Sequence, residues 1–563
     1  MQKGAKSAMR RLFVILAATV VTGGALMSCA KDMSGDYWNG DNNNQNSNTT
    51  WECYAANDCQ PGQYCNEFHR CVWPPVQPDA GVGEDSGAPF VPPETEYEYG
   101  PPASGERYVY VALADQDSVA RIDSETLDIL TVNVGDRPGV LVTAPGQDLA
   151  LVLNDGSSTV SILRTEAGVN TTVTLPTPPH FNRLEVGPLG LHAVAYFELE
   201  AANTQGIGSF QDVTIIDLTP GSESVVNVSV GFRPREVHFT PDETAAYVIT
   251  EDGVSILDLE GNTGFFAPTV PMTTDPLGDG DPDEVVITPN GQYALARWAS
   301  KSLVRAVDLV TGDLTDTALS GPPTDLDLTP DGDTLLAVIR SRSELALLDL
   351  PGDIGDASAV QTVDCTGLTV GSAQITQDGD QALLFTNASN VKSVTLVDLI
   401  THEKRTAVLR KGIRWVALAP DGTSALVLHN KMPGDPLPTD DFQTQLDKRY
   451  GFSLVDLESL FVKLQIIDAD PGAFAFSPDG LLVYLIVADP ATGLRDVARL
   501  NLENFIVNTT SVGSHPVEIG AVVGTDKIYV SQEHNLGRIS FIDVHTHQLH
   551  TVTGFQLNSQ IIE

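Results

Sequence analysis

Residues 241–258 read Pro241-Asp242-Glu243-Thr244-Ala245-Ala246-Tyr247-Val248-Ile249-Thr250-Glu251-Asp252-Gly253-Val254-Ser255-Ile256-Leu257-Asp258. A turn opens the stretch, an apolar strand follows, a short polar turn reverses the chain, and a second strand ends on Asp258. Val, Ile, Tyr and Thr suit a pleated, half-buried surface, and the turn residues confine each strand to five or six positions. The terminal Asp recurs as Asp123, Asp217, Asp308, Asp349, Asp398, Asp456 and Asp543, with Arg164 and Asn501 standing at the same place in two further units. The opening turn recurs as Pro289-Asn290-Gly291, Pro330-Asp331-Gly332, Asp378-Gly379, Pro420-Asp421-Gly422 and Pro478-Asp479-Gly480. Asp-Gly and Asn-Gly supply the positive φ that tight hairpins need. From Arg107 to the C-terminus the pattern predicts ten units of about 46 residues, the size of a four-stranded blade. No amphipathic helix is predicted there.

Tyr108-Val109-Tyr110-Val111, Ala246-Tyr247-Val248, Val254-Ser255-Ile256-Leu257-Asp258 and Val134-Gly135-Asp136-Arg137-Pro138 resemble the YVTN-type repeat of β-propeller proteins. The resemblance covers nearly all of 107–563 and implies an all-β fold with a single propeller of about ten four-stranded repeats. Seven to eight blades, the commoner family size, is the alternative. The fold alone says little about chemistry. The array opens on a second strand at Tyr108 and ends on 558–563, so the two termini are expected to complete one shared blade and remove exposed edges.

The first 106 residues have a different character. Lys3, Lys6, Arg10 and Arg11 precede an apolar run at 12–21, too short for a permanent span, so 1–28 reads as a signal peptide. Leu26-Met27-Ser28-Cys29 looks like a bacterial lipobox, which implies lipidation of Cys29 and an exported lipoprotein anchored at the periplasmic side or cell surface. Residues 29–50 read as a polar, disordered tether. Cys53, Cys59, Cys65 and Cys71 fall at even six-residue steps within 51–73. In an exported chain they read as two disulfides of open pairing that staple a small module. The run from Cys59 to Cys71 resembles small EB-like or dickkopf-like modules, which serve as spacers or interaction knobs. Residues 74–106, rich in Pro, Gly and acids, read as a linker. Cys365 stands apart and reads as a small buried apolar residue.

Asp plus Glu number 74 against 32 Lys plus Arg, a formal net charge of −42, and loss of the signal's four cations makes the mature chain more acidic still. That disfavours nucleic acid and anionic lipid as partners, while the lipid anchor would tie the chain to its membrane. In a propeller the loop leading into each first strand and the hairpin between strands two and three share a face. That face would carry Arg137, His180, Arg233, Asp281, Arg414, Trp415 and His515, and the long insertions 198–210, 430–448 and 489–496. An elaborated face on a regular scaffold is the expected binding surface, although the same Arg and His residues could simply pair with neighbouring acids. Asp279, Asp281 and Asp283 alternate in a hard-cation pattern, and calcium is the one cofactor considered. The stretch lacks the glycine and final acid of an EF-hand loop, so a solvated acidic loop is the favoured reading and calcium the alternative. His545, His547 and His550 cluster in a turn between strands. Nucleophile-elbow, zinc-protease and haem-attachment motifs are missing. The expected function is therefore a non-enzymatic binding or scaffolding propeller, acting as a monomer on an envelope protein, glycan or small ligand. The alternative is a lactonase-like hydrolase, since some propellers of similar repeat type open sugar lactones. It would need His, Arg and Glu converging at the channel mouth, with Arg137, Arg233 and His515 as contributors.

Overall fold

The computed structural model describes residues 99–201, 206–260, 266–388, 391–555 and 561–562, together with the backbone of 64–65 and 71–72. The two short strands Tyr64–Cys65 and Cys71–Val72 pair antiparallel, with Cys65 opposite Cys71. They belong to a compact unit separate from the one that holds the rest. The expected signal peptide and tether, with Cys29, Cys53 and Cys59, lie outside the described residues.

Ten four-stranded antiparallel sheets follow one another along the chain, at 103–133, 138–176, 183–229, 236–270, 284–318, 325–364, 372–408, 413–467, 471–511 and 516–553. We number them blades 1 to 10. Within each the strand order is sequential, and consecutive first strands lie side by side, forming an all-β propeller. The ten-repeat expectation holds.

The marker residues have a common local task. Asp123 Oδ1 accepts the backbone N–H groups of Glu125 (2.9 Å) and Thr126 (3.2 Å), and Asp308, Asp398 and Asp543 cap the same turn between strands three and four. Asn501 keeps this geometry, because its amide oxygen accepts from Glu503 and Asn504. Blade 2 dispenses with the cap. There Glu166 pairs directly with Val169 across Ala167 and Gly168, both at positive φ, a two-residue hairpin that leaves position 164 free for a buried arginine. The turn between strands one and two depends on a residue the repeat pattern had not singled out. Thr329 Oγ1 donates to Asp331 (2.6 Å) and accepts the N–H of Thr334 (3.0 Å), while Gly332 takes φ +76°. Thr288, Thr376 and Ser477 repeat this arrangement.

The core lies between blades. The apolar faces of strands one to three pack on the next sheet, as where Leu426, Phe452, Leu454, Val483, Leu485 and Leu500 join blades 8 and 9. Cys365 is fully buried in the corresponding layer between blades 6 and 7.

Ring closure differs from the sequence expectation. Blade 1 has its own first strand, Ala103–Ser104, paired with Tyr108–Leu113, and Ile561–Ile562 adds a fifth, outer strand to blade 10. Among the described residues no blade is shared by the termini. Closure is by contact between whole blades: Ser104 Oγ donates to Ala521 O (2.7 Å), Tyr529 OH to Pro102 O (3.0 Å) and Gly524 N to Glu106 O (2.8 Å). The Tyr99 ring meets Phe555 edge-on, with centroids 5.4 Å apart. A two-residue strand built from Ala and Ser carries no apolar period, which is why the sequence hid it. The described propeller also holds two short helices, Pro276–Asp279 and Phe442–Asp447, where none was expected. At four and six residues they are too short to show a helical period.

Candidate functional site

The loops leading into the first strands and the hairpins between strands two and three do share a face, since Pro138 pairs with Asn154 and Glu284 with Arg297. The three insertions lie there. In 198–210, Arg183 pairs with Glu198, Arg233 reaches Glu200 (3.0 Å), and the Phe210 ring packs between Phe197 and Phe232. In 430–448, the fully buried Lys411 donates from Nζ to the carbonyls of Leu446 (2.8 Å) and Asp447 (3.2 Å), at the end of the helix Phe442–Asp447. The Leu446 carbonyl also accepts the N–H of Arg449 (3.1 Å) and the Asp447 carbonyl that of Met432 (2.8 Å), so the cation completes the bonding of the helix end. Lys392 holds the Asp447 carboxylate at 2.7 Å. Burial pushes the Lys411 ammonium down to about 8. Residues 489–496 extend a regular hairpin, Asp489 pairing with Leu494. The insertions are thus anchored to the blades.

The candidate residues of this face are dispersed among the blades. Arg137 (3.1 Å) and the His180 imidazole (3.2 Å) share the Asp155 carboxylate, bridging the lead-in loops of blades 2 and 3. Arg233 pairs with Glu251 and Glu200, Arg235 bridges Glu251 and Asp281, and Arg414 pairs with Asp470 and donates to Pro471 O (2.7 Å). Trp415 packs half-buried against the layer between blades 8 and 9, and the His515 carbonyl accepts from Glu533. Apart from the Arg137–His180 pair, the structure does not bring these side chains together.

The three acids considered for calcium also separate. Asp279 is held by Lys301, Arg305 and the Thr273 hydroxyl, and those three donors keep its carboxyl far below the ordinary range. Asp281 faces Arg235 (2.7 Å), and Asp283 accepts the N–H of Ala299 (2.6 Å). Among the described residues no three His, Cys, Asp or Glu side chains gather as a metal site would require. Alternation in the chain does not converge here, because the short helix Pro276–Asp279 turns Asp279 toward blade 5's own cations.

A different set does assemble, on the first strands themselves. Four and two residues before the strand-one turn, positions that share one face of the strand, blades 3 to 7 carry Arg183/Glu185, Glu236/His238, Glu284/Val286, Asp325/Asp327 and Ser372/Gln374. Blades 2, 8 and 9 carry Val140/Val142, Trp415/Ala417 and Ala473/Ala475 there. Blades 3 to 7 thus form a polar, mostly acidic stretch of channel wall and blades 2, 8 and 9 an apolar one, while blade 10 places Glu518 at the first of these positions. Part of this polarity is structural, since each first strand presents an unpaired backbone edge. Glu284 Oε2 accepts the N–H of Leu326 (3.2 Å), Asp325 Oδ2 that of Ala373 (2.8 Å), and Gln374 donates to Val416 O (3.0 Å). Each side chain thereby stitches its blade to the next.

These groups are electrostatically linked. Burial raises the Glu185 carboxyl, Arg183 opposes the rise, and Glu236 adds to it. Burial also raises Glu284 against the pull of Arg297. Asp325 is pushed up to about 7 by burial, its bond from Ala373 opposing and Glu284 adding. Asp327 goes well above the ordinary range through burial and the charges of Asp325 and Glu284, and its Oδ2 is buried without a hydrogen bond. Burial would raise Glu236 too, but the His238 imidazole at 3.1 Å outweighs it and holds the carboxyl below its usual value. Sequence reading missed this set because it examined loops. The signal was present as polar residues at positions where strands in other blades carry Val or Ala.

The family profile described as Lactonase, 7-bladed beta-propeller, matches residues 176–397, less than half of the chain and the part that contains the polar blades. No curated protein matches. Among solved structures, similarities include hydrazine synthase of Kuenenia stuttgartiensis (15% identity, 57% of this chain and 95% of that one, TM-score 0.33). Dihydro-heme d1 dehydrogenase NirN is similar at 14% identity, over 65% of this chain and 73% of that one, with a TM-score of 0.41. A eukaryotic initiation factor is similar at 11% identity, over 72% and 96%, with a TM-score of 0.46. Likeness at this level carries no argument about activity.

Proposed function

We propose that this chain is a lipid-anchored propeller of the cell envelope that binds, without chemistry of its own, a basic segment of an envelope protein at its insertion-bearing face. The observation that carries this reading is the polarised channel wall. Glu185, Asp325 and Asp327 stand on first strands of blades 3 and 6, and among the described residues no side-chain cation reaches any of them by hydrogen bond or ion pair. A lysine or arginine brought by a partner would favour the charged form of these carboxylates against their burial, and charge complementarity of this kind sets partner choice and association rate. Dispersal of Arg137, Arg233, Arg414 and His515 supports binding over hydrolysis, because catalysis needs its groups at one reacting centre.

A second reading has one specific observation in its favour. Arg183, Glu236 and His238 lie on adjacent first strands within the stretch that matches the lactonase family, and a glutamate-oriented imidazole is a general-base arrangement. Two measurements separate the readings. The full lipidated chain is used as bait on detergent-solubilised envelope membranes, beside a Glu185→Gln, Asp325→Asn, Asp327→Asn variant. A partner retained by the parent and lost by the variant is expected, and identical captures from both refute the binding face. Lactone hydrolysis by the parent that vanishes in His238→Ala would establish the second reading instead.

A further inference from the structure

On the opposite face a cleft of about 420 Å³ opens between blades 9 and 10. Its walls are Asp479, Arg499, Asn501, Asn504 and Asn508 of blade 9 and His545 and His547 of blade 10, above the apolar side chains of Leu481, Leu482, Ile506 and Val544; Asp479 Oδ1 is engaged by its own turn, accepting from the Ser477 hydroxyl (2.5 Å) and the N–H of Leu481 (3.1 Å). We propose that this cleft binds a carboxylated saccharide, its carboxylate on Arg499 and its hydroxyls on the amides and His547.

Arg499 is the anchor of the argument. It is half-buried on the third strand of blade 9, between Tyr484 and Asn508 in register, and no acceptor among the described residues reaches its guanidinium. In a chain with 74 acids against 32 Lys and Arg that is unusual. Arg107, Arg137, Arg183, Arg233, Arg235, Arg297, Arg305 and Arg414 all meet carboxylates. Other arginines left without an acceptor, Arg340, Arg410 and Arg449, are exposed and solvated. Beside Arg499 the buried Tyr484 hydroxyl also lacks a hydrogen-bond partner. A planar guanidinium that has lost part of its water without gaining an acceptor is matched by a carboxylate, which takes two parallel N–H bonds.

The remaining groups select within that class. Partial burial and the Arg499 charge hold the His547 imidazole below its usual value. It is therefore neutral at neutral pH, a donor and acceptor for a hydroxyl rather than a second cation. Asn504 and Asn508 are exposed amides able to bond hydroxyls in either sense, and Ile506, 51% exposed, offers an apolar floor for a sugar's C–H face. Asn501 belongs to the same wall, where most blades have Asp. Its amide oxygen caps the turn as the Asp carboxylates of other blades do, so the cap adds no second carboxylate beside Asp479. The cleft's volume suits one or two sugar residues.

The test is calorimetric titration of the full chain with glucuronate, glucose and inorganic phosphate in turn, repeated on Arg499→Gln and Asn508→Ala. Glucuronate is expected to bind at millimolar concentration, glucose and phosphate to bind at least about tenfold more weakly, and Arg499→Gln to lose about tenfold. Asn508 is exposed, so its substitution leaves the blade folded and should weaken binding several-fold. Absence of glucuronate binding, equal binding of phosphate, or unchanged affinity in Asn508→Ala and folded Arg499→Gln overturns the proposal. None of these outcomes bears on the insertion-bearing face.

Discussion

Glu243 stands at the turn position where other blades carry glycine, and its substitution by glycine should destabilise the propeller although it relieves the backbone. Its φ is +50°, the left-handed region that costs a non-glycine residue about 1–2 kcal/mol. Its side chain is fully buried and crosses from blade 4 to the turn of blade 3. There it accepts the N–H groups of Leu189, Leu191 (3.0 Å) and His192 (2.8 Å) and lies 3.4 Å from the His192 imidazole. Hydrogen bonds to a charged group contribute about 1.5–3 kcal/mol each. Water can replace part of this at Leu189 and Leu191, whose side chains are exposed. Three bonds at the low end, less the strain relieved, leave Glu243→Gly less stable by about 3 kcal/mol. Glu243→Gln gains no relief and turns one of its two accepting oxygens into a donor that faces backbone N–H groups, so it should cost at least as much. Urea unfolding measures the loss, and hydrogen exchange places it. Amides 187–192 should exchange about a hundredfold faster, with those of the distant blade 8 unchanged. A glycine variant as stable as the parent, with exchange at 187–192 unaltered, would show that the strain is not offset by these bonds and refute the reasoning.

Two further predictions concern titration. Asp325 has a folded pKa of about 7 against an unfolded value near 4, so its destabilising effect is absent below about pH 4, grows as pH rises, and is complete above pH 7. Asp325→Asn keeps an oxygen for Ala373, and thermal unfolding should show it raising Tm at pH 8 while leaving it unchanged at pH 4; an equal shift at both would contradict the assignment. Asp123 is the opposite case. Burial alone would raise its carboxyl, but Arg107 and the turn N–H groups hold it below the ordinary range, so its contribution is present above about pH 4 and is lost as pH falls through the folded value. Asp123→Ala should cost about 2 kcal/mol at pH 7 and Asp123→Asn less, since an amide caps the corresponding turn at Asn501, with the difference read from melting curves.

The blade repeat was legible because its cause is local. A strand ended by Asp and a turn at positive φ are decided within about six residues, so residues 241–258 showed the unit and its recurrence along 107–563 gave the count. Asn501 and Arg164 could be seen as departures, but only the pairing of Glu166 with Val169 explains why blade 2 needs no cap. Ring closure was misjudged because it depends on contacts such as Ser104 with Ala521, far apart in the chain and made by residues without periodic character. The site was less legible still. Sequence placed Arg137, His180 and Arg233 on one face, but whether side chains on different blades meet depends on the angle each sheet takes around the ring. That angle also gathers Glu236, Glu284 and Asp325 along one stretch of the channel wall and leaves Arg499 facing His547 across two blades. Hydrophobic period and turn chemistry act along the chain and are written in it. Convergence of charges acts across blades, through space, and only the closed ring of sheets decides it.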